Sequence, residues 1–169
     1  SEGCAPVFTD FNLVNILIGL PFLMHQGLAF DSFISSLRLI SLPSGRQKLI
    51  KYKSNKIFID YAHTPDAVEK LLSGLSKLES TKTTLIIGAG GNRDHGKRSL
   101  MGSVSSKFAN HIIITSDNPR DEDPQLIADM IAEGIEETVS YEVILDRERA
   151  IAEAIKQLTS DETLVIIGK

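Results

Sequence analysis

Four short apolar runs along the chain each end at a cluster of polar residues or glycines. The runs are residues 57–59, 85–87, 112–114 and 164–167, and the clusters that follow them are residues 60–66, 88–94, 117–120 and 168–169. In an open α/β sheet, ligands bind at the carboxyl ends of the parallel strands. The four clusters therefore predict one shared ligand site along a single edge of a sheet.

From residue 49 onward, strand and helix patterns alternate. A hairpin is predicted for residues 49–53 and 56–59 around Ser54 and Asn55, and further strands for residues 84–87, 111–115, 142–145 and 163–167. Helices are predicted between these strands, over residues 65–78, 99–108, 124–135 and 147–158. Helices of ten or more residues between strands indicate βαβ units, so the predicted fold is α/β with a largely parallel sheet.

Two of these helices have clear start signals and a predicted buried face. Thr64 is the expected N-cap of the first, with Pro65 at the first helical position, and Asp123 is the expected cap of the third. Residues at helical spacing predict the inner faces, which are Val68, Leu71, Leu72, Leu75 and Leu78 in the first helix and Leu126, Ile127, Met130, Ile131 and Ile135 in the third.

Residues 1–45 have a different character, with two apolar helical patterns at 11–26 and 31–39 and a linker at 42–45. The apolar stretch 13–24 contains Asn15 and Pro21 and is shorter than the roughly 20 residues that a membrane span needs. It also lacks the basic start of a signal peptide. We interpret it as a buried helix and expect no membrane insertion.

Composition excludes several classes of function. The net charge of −4 argues against nucleic acid as a partner. Cys4 is the only cysteine of the 169 residues, so no internal disulfide can form, as is common in a reducing compartment. No set of His, Cys and Asp has the spacing of a zinc site, and no metal ligands are predicted.

The glycine-rich loop 88–94 allows two interpretations. It matches neither a P-loop nor a dinucleotide fingerprint, but its glycines could bring backbone N–H groups close to an anion. It could equally be an ordinary strand-to-helix turn. The cations Arg93, Lys97 and Arg98 favour recognition of a carboxylate or phosphate, although a solvated basic loop remains the alternative.

The next cluster, Asp117, Asn118, Pro119 and Arg120, has a structural explanation as a turn that leads into a helix. A functional interpretation gives Asn118 two-way hydrogen bonding and makes Arg120 a carboxylate clamp. Arg93 and Arg120 at adjacent strand ends could then grip a zwitterionic amino acid.

Three further polar residues are candidates for a nucleotide. Asp60 at a strand end could bind sugar hydroxyls, and His63 could contact a base, although it could also be a cap or surface residue. Asn12 lies with Asn15 on the apolar helix and needs a partner, either backbone or the edge of a ligand ring.

Taken together, these segments resemble the Mur ligases, which assemble the peptide of peptidoglycan precursors. The resemblance rests on residues 11–15, 45–46, 60–66, 90–94, 96–98, 100–102, 117–120 and 168–169. Their order and spacing agree with the family over nearly the whole chain. Within the family, the chain is similar to the members that add the third amino acid of the peptide.

The resemblance implies a Rossmann-like C-terminal Mur ligase domain. Residues 1–45 would be the helical end of the central ATP-binding domain, and residues 46–169 would be the amino-acid-binding domain, truncated at its end. The P-loop and the Mg²⁺ ligands would precede this chain, and a Gly-His-Glu segment would follow Gly168 and Lys169. We therefore expect the fragment to hold no catalytic residue and to be inactive alone.

The implied reaction is ATP-dependent, ADP-forming and Mg²⁺-dependent amide formation. The D-Glu carboxylate of UDP-MurNAc-L-Ala-D-Glu would be phosphorylated, and the amine of meso-diaminopimelate would attack the acyl phosphate. The resemblance implies a cytoplasmic bacterial enzyme of cell-wall synthesis, and we expect a monomer.

The resemblance also implies residue roles. Asn12 would contact adenine, Arg46 the ATP phosphates and Asp60 the ribose, with Tyr61 and His63 lining the nucleotide side. The amino acid would be bound by Arg93, Asp117, Asn118, Pro119, Arg120 and Gly168. Arg120 favours diaminopimelate, because a guanidinium rewards the distal carboxylate that lysine lacks and repels a lysine ammonium. The alternatives are a lysine-adding ligase, a folylpolyglutamate synthetase-like ligase and a non-catalytic amino-acid-binding domain.

Overall fold

A computed structural model describes residues 10–36, 47–78 and 82–168 and divides the chain into two compact units, Ser1–Ser44 and Gly45–Lys169. The first unit contains helices α1 (Asp10–His25) and α2 (Phe30–Ser36). Both helices were predicted from the sequence. The predicted continuation of α2 to residue 39 and the predicted linker lie outside the described residues.

The prediction that the apolar helix is buried is wrong for this chain. Ile18 and Phe22 on α1 are 70% and 66% exposed. The other helix described in this unit, α2, has only seven residues and cannot cover a helix of 16. Among the described residues, no helix combines the length and the apolar character needed to cross a membrane.

The second unit is built on a six-stranded sheet. Its strands are β1 (Lys48–Tyr52), β2 (Asn55–Ile59), β3 (Thr83–Ile87), β4 (His111–Ile114), β5 (Ser140–Val143) and β6 (Thr163–Ile166). They lie in the order β1-β2-β6-β3-β4-β5, and only the β1–β2 pair is antiparallel. The predicted α/β fold with a mostly parallel sheet and an N-terminal hairpin is confirmed.

Four helices connect the strands, namely α3 (Pro65–Leu78), α4 (Gly96–Ser106), α5 (Pro124–Ala132) and α6 (Arg147–Gln157). Thr64 caps α3 as predicted, since its hydroxyl accepts from the Ala67 N–H. Asp123 caps α5 as predicted and accepts from the Gln125 N–H. Each cap satisfies a backbone donor that the first turn of a helix leaves without a partner.

The core lies on both faces of the central strands. Leu85, Ile86, Ile113 and Leu164 are completely buried, because β3, β4 and β6 have a strand on either side and helices above and below. This double burial is the reason that these strands appear in the sequence as continuous apolar runs.

Several predicted details need correction. The hairpin turn consists of Lys53 and Ser54, since Tyr52 pairs with Asn55, and Lys53 has a φ of 55°. β5 begins at Ser140 and ends at Val143, and α4 begins at Gly96.

The inner face of α5 also differs from the prediction. Ile127, Ala128 and Ile131 are buried, whereas Leu126 is 57% exposed. For α3, the predicted inner face is confirmed at Val68, Leu71, Leu72 and Leu75.

Candidate functional site

The carboxyl ends of five strands meet at one edge of the sheet. Because β2, β6, β3, β4 and β5 are parallel neighbours in that order, the segments that follow them lie side by side. The cluster after β6, with Gly168, lies between the cluster of Asp60 and the glycine loop after β3. The four clusters of the sequence thus share one edge, and the last of them in the chain is the second in spatial order.

The loops after β3 and β4 are packed backbone against backbone. The Gly91 N–H donates to the Asn118 carbonyl oxygen at 2.8 Å. A Cβ on Gly91 would lie 1.8 Å from the Pro119 carbonyl oxygen, and one on Gly88 would lie 2.6 Å from that of Thr115. These glycines therefore allow the two loops to touch, and the Gly91 N–H is occupied within the protein rather than open to an anion.

The end of β6 joins the same packing. Gly168 has a φ of +81°, and a Cβ there would lie 2.6 Å from the Gly88 carbonyl oxygen. Only glycine adopts this conformation at little cost and also leaves room for the neighbouring backbone. A Cβ built on Gly88 would in turn lie 3.3 Å from the Asp117 Cβ. We call Gly168, Gly88 and Asp117 the centre of the candidate site.

Arg98 has a structural role that the sequence did not predict. Its side chain is completely buried, with Nη1 2.7 Å from Glu122 Oε2 and Nη2 2.9 Å from Glu122 Oε1. Nη2 also donates to the Gly90 carbonyl oxygen at 3.2 Å. The prediction that Arg98 takes part in recognising an anionic ligand is therefore wrong, because Glu122 already neutralises its charge.

Glu122 is the acceptor that holds this region together. Besides Arg98, it accepts from the Asn92 backbone N–H and lies 3.4 Å from His95 Nε2. The hydrogen bond from Arg98 is the main cause that lowers the pKa of Glu122 from 4.5 to about 2, and the Asn92 N–H adds to it. Glu122 therefore fixes the β3 loop to the segment that follows Arg120.

Both arginines of the predicted amino-acid site are accessible to solvent. Arg93 and Arg120 are both exposed, and in the described part of the chain neither guanidinium has a hydrogen-bond or carboxylate partner. Arg120 has a φ of 51°, which is uncommon for a residue with a Cβ and costs about 1–3 kcal/mol. Asn118, beside it, also has an exposed side chain.

The polar residues after β2 form a separate part of the edge. Asp60 Oδ1 accepts from the Ala62 N–H at 2.8 Å, and Oδ2 accepts from the Gln47 N–H at 3.0 Å. His63 Nδ1 is 2.9 Å from the Tyr61 carbonyl oxygen, and the two rings meet edge to face at 5.3 Å. Asp60 thus ties the entry of the hairpin to its exit, while the Tyr61 and His63 rings are exposed.

Two residues of the predicted nucleotide set cannot be compared with this arrangement. Asn12 lies on α1 in the first unit, where its side chain is not described, and Arg46 lies outside the described residues. No group of three or more His, Cys, Asp or Glu residues in the described ranges could hold a metal ion.

One residue at this edge was missed by the sequence analysis. Arg147 opens α6 after the short loop that follows β5, and its Nη2 donates to the Ile167 carbonyl oxygen at 3.1 Å. Its pKa is lowered by partial burial, and the charge of Asp117 opposes that shift. The sequence did contain a signal for Arg147, because the charged residues Asp146 and Arg147 follow the end of a fifth predicted strand. This strand end has no glycines, which made it less conspicuous than the other four.

Comparison with known proteins assigns residues 45–169 to a family described as "Mur ligase, glutamate ligase domain". The UDP-N-acetylmuramoyl-L-alanyl-D-glutamate--2,6-diaminopimelate ligase of Rickettsia montanensis is 45% identical over 166 residues, which are 97% of this chain and 34% of that protein. The ligase of the same name from Aquifex aeolicus is 39% identical over 95% of this chain and 33% of its own length.

A solved structure of a ligase of that name has the same fold. It superimposes with a TM-score of 0.72 at 33% identity and covers 98% of this chain and 34% of its own chain. The chain thus spans about a third of the length of these relatives.

Proposed function

Because the chain belongs to the Mur ligase family, we propose that it supplies the amino-acid-binding part of an ATP-dependent ligase that joins meso-diaminopimelate to UDP-MurNAc-L-Ala-D-Glu. In this proposal residues 46–169 select and hold the incoming amino acid, and residues 1–45 belong to the ATP-binding part. The enzyme would be a cytoplasmic monomer of peptidoglycan synthesis.

The observation that carries the proposal is that Arg120 lies in a fixed loop while its guanidinium has no partner among the described residues. Its loop is fixed on one side by the bond between Gly91 and Asn118 and on the other by Glu122, yet its guanidinium has no partner among the described residues. The φ of 51° at Arg120 is strained for a residue with a Cβ. A guanidinium whose loop is held in place and which has no partner among the described residues is suited to bind a carboxylate.

Diaminopimelate has charges that match this edge. It has two ammonium and two carboxylate groups, whereas lysine lacks the distal carboxylate. Arg93 and Arg120 offer two guanidinium groups for carboxylates, Asn118 offers an amide, and Asp117 offers a carboxylate for an ammonium. A site that pairs a charged group favours the ligand that carries this group over an analogue that lacks it.

In the proposed reaction, the residues of this chain contribute position rather than bond chemistry. They hold the amine of diaminopimelate at a fixed place, so that its attack on the activated D-Glu carboxyl becomes effectively intramolecular. ATP supplies that activation, and Asp60, Tyr61 and His63 would line the nucleotide side. In this proposal the Mg²⁺ ligands belong to the part of the ligase outside this chain, and the chain alone is expected to be inactive.

Calorimetric titration tests the amino-acid site directly. We expect the chain to bind meso-diaminopimelate more tightly than L-lysine, and ADP release by the complete ligase to show the same preference. Arg120→Ala should weaken diaminopimelate binding about 10- to 100-fold, which corresponds to the loss of a charge-assisted hydrogen-bond pair of about 1.5–3 kcal/mol. ATP binding should remain unchanged.

Lys53→Ala is the matched control for Arg120→Ala. Lys53 is also an exposed cation with a positive φ, but it lies in the hairpin turn at the opposite edge of the sheet. The control should bind diaminopimelate as the natural chain does. Equal or higher ADP release with lysine would contradict the assignment of diaminopimelate.

A further inference from the structure

The ion pair of Arg98 and Glu122 does more than fill the core beside α4. The Arg98 side chain is completely buried, and its Nε has no hydrogen-bond partner in the described part of the chain. Taking two charges out of water is costly, and a well-packed apolar pair of similar volume is often at least as stable. What the charged pair supplies is direction, because two N–H groups of one guanidinium hold both oxygens of one carboxylate, at 2.7 and 2.9 Å. This geometry indicates that the orientation of the Glu122 carboxylate matters.

Two hydrogen bonds tie the neighbours of the two exposed arginines to each other. The backbone N–H of Asn92 donates to Glu122, and its side-chain Nδ2 donates to Asp121 Oδ2 at 2.9 Å. Arg93 directly follows Asn92, and Arg120 directly precedes Asp121. The backbones that carry the two exposed guanidinium groups are therefore held in one relation by side chains that neither arginine supplies.

The same two loops have an uncommon backbone. Asn92 and Arg120 have φ values of 52° and 51°, in the left-handed region that a residue with a Cβ rarely adopts. Such conformations persist where the surrounding contacts determine them. Here the contacts are the bond from the Gly91 N–H to the Asn118 carbonyl oxygen on one side and the carboxylate of Glu122 on the other.

We propose that Glu122 is a positioning residue that sets the spacing between Arg93 and Arg120, so that the site selects an amino acid by the distance between its two carboxylates. Glu122 acts through the two loops and does not touch the ligand. The identity of the amino acid rests on the proposed function, but the spacing can be probed with dicarboxylates alone. Pimelate has the carbon chain and both carboxylates of diaminopimelate without its ammonium groups, and glutarate has a shorter chain.

Two variants of the 169-residue chain loosen the loops in different ways. Glu122→Gln keeps the shape of the side chain but removes the charge that holds Arg98. Asn92→Gly removes the bond to Asp121, keeps the backbone N–H that Glu122 accepts, and suits the φ of 52° at this position. It changes no charge and replaces an exposed residue, so it tests the inference even if Glu122→Gln does not fold. Thermal unfolding shows whether each variant is folded.

Glu162→Gln is the matched control for Glu122→Gln. The Glu162 carboxylate also accepts from a backbone N–H, that of Thr159 at 2.9 Å, and pairs with a cation, Lys82 at 3.0 Å. Because Glu162 directly precedes β6, it lies at the opposite edge of the sheet. The control therefore removes a comparable carboxylate and separates a general loss of stability from a change at the site.

The first measurement is calorimetric titration of each chain with pimelate and with glutarate. We expect the natural chain and Glu162→Gln to bind pimelate about tenfold more tightly than glutarate, as one well-placed charge-assisted contact implies. In Glu122→Gln and Asn92→Gly, this ratio should fall below about threefold through weaker binding of pimelate. Removing the negative charge of Glu122 would by itself strengthen the binding of any anion, so the expected sign separates positioning from charge. An unchanged ratio in a folded variant, or a natural chain without the preference, would overturn the inference.

The second measurement is the kinetics of the complete ligase. We expect Glu122→Gln to raise the KM for diaminopimelate about tenfold while the KM for ATP and kcat stay within about twofold, because the carboxylate contacts act equally in the ground state and the transition state. If the natural ligase uses diaminopimelate and this KM does not change in the variant, the inference fails and the proposed function stands. If the dicarboxylates behave as expected but the natural enzyme does not use diaminopimelate, the proposed function fails instead.

Discussion

At the scale of single residues, the candidate site depends on which of its arginines are paired within the protein and which are exposed to a ligand. Arg98 and Glu122 neutralise each other inside the protein, whereas Arg93 and Arg120 remain exposed. The sequence could not separate these arginines, because all of them are cations near the same loop and Glu122 is 24 residues from Arg98. Pairing over that distance is decided by the packing of α4 against α5, which local patterns do not report.

The Arg98–Glu122 pair predicts a specific loss of stability in acid. The pKa of Glu122 is lowered from 4.5 to about 2 in the folded protein, so its contribution is complete above pH 4.5 and is lost as the pH falls toward 2. Glu122→Gln should lower the free energy of unfolding at pH 7 and flatten its pH dependence between these values. Urea unfolding at several pH values measures both effects.

Glu137→Gln is the control for Glu122→Gln, since Glu137 is exposed. It should leave both the free energy of unfolding at pH 7 and its acid dependence close to those of the natural chain. A Glu122→Gln protein that kept the full acid dependence would show that other carboxylates cause it.

At the scale of elements, the strand ends are positioned by direct contact between their loops. The apolar runs of β3, β4 and β6 could be predicted because these strands are buried on both faces. The start of β5 could not, because this edge strand exposes Ser140 and Tyr141 and has no apolar run at its beginning. The close approach of Gly91 to Pro119 could not be predicted either, because a glycine required for packing cannot be distinguished in a sequence from a glycine required for a turn.

Two adjacent glycines test this packing. A Cβ on Gly91 would lie 1.8 Å from the Pro119 carbonyl oxygen, whereas one on Gly90 would lie 3.7 Å from the nearest atom, the Asn118 carbonyl oxygen. Neither has a positive φ, so alanine is strained at neither by its own backbone. Gly91→Ala should cost about 1–3 kcal/mol, as overpacking commonly does, and Gly90→Ala should be close to neutral.

Calorimetric unfolding and diaminopimelate titration of both variants measure the effect. Gly91→Ala should lower the unfolding temperature and weaken binding together, because the Asn118 and Pro119 backbone must move. If Gly90→Ala were as damaging as Gly91→Ala, the close approach of the two loops would not be the reason for the glycine.

At the scale of the whole molecule, the strand order creates the site. β6 is the last strand in the chain but lies between β2 and β3, which brings Gly168 against Gly88. The sequence predicted that the four clusters share an edge, since parallel strands end on the same side. It could not predict their order along that edge, because pairing between β2 and β6 joins residues more than 100 positions apart, such as Lys56 and Thr163.

The same topology predicts that the second unit folds without the first. Every strand of the sheet and the core around Leu72, Ile86 and Leu164 lie within Gly45–Lys169. Expressed alone, Gly45–Lys169 should therefore unfold cooperatively at the same temperature as this unit in the complete chain. Leu72→Ala should destabilise both proteins equally, by about 2–5 kcal/mol, because it removes a core side chain.

Substitutions on helix α1 should, in contrast to Leu72→Ala, leave the stability of the second unit unchanged. Ile18→Gln with Phe22→Gln replaces two side chains that are 70% and 66% exposed, so the unfolding temperature of the second unit should not change. If the 169-residue chain self-associates at high concentration, light scattering should record less association for the double variant, because exposed apolar area is removed. A lower unfolding temperature for isolated Gly45–Lys169 than for the same unit in the complete chain would show that residues 1–44 contribute to its stability, and the division into independent units would then be wrong.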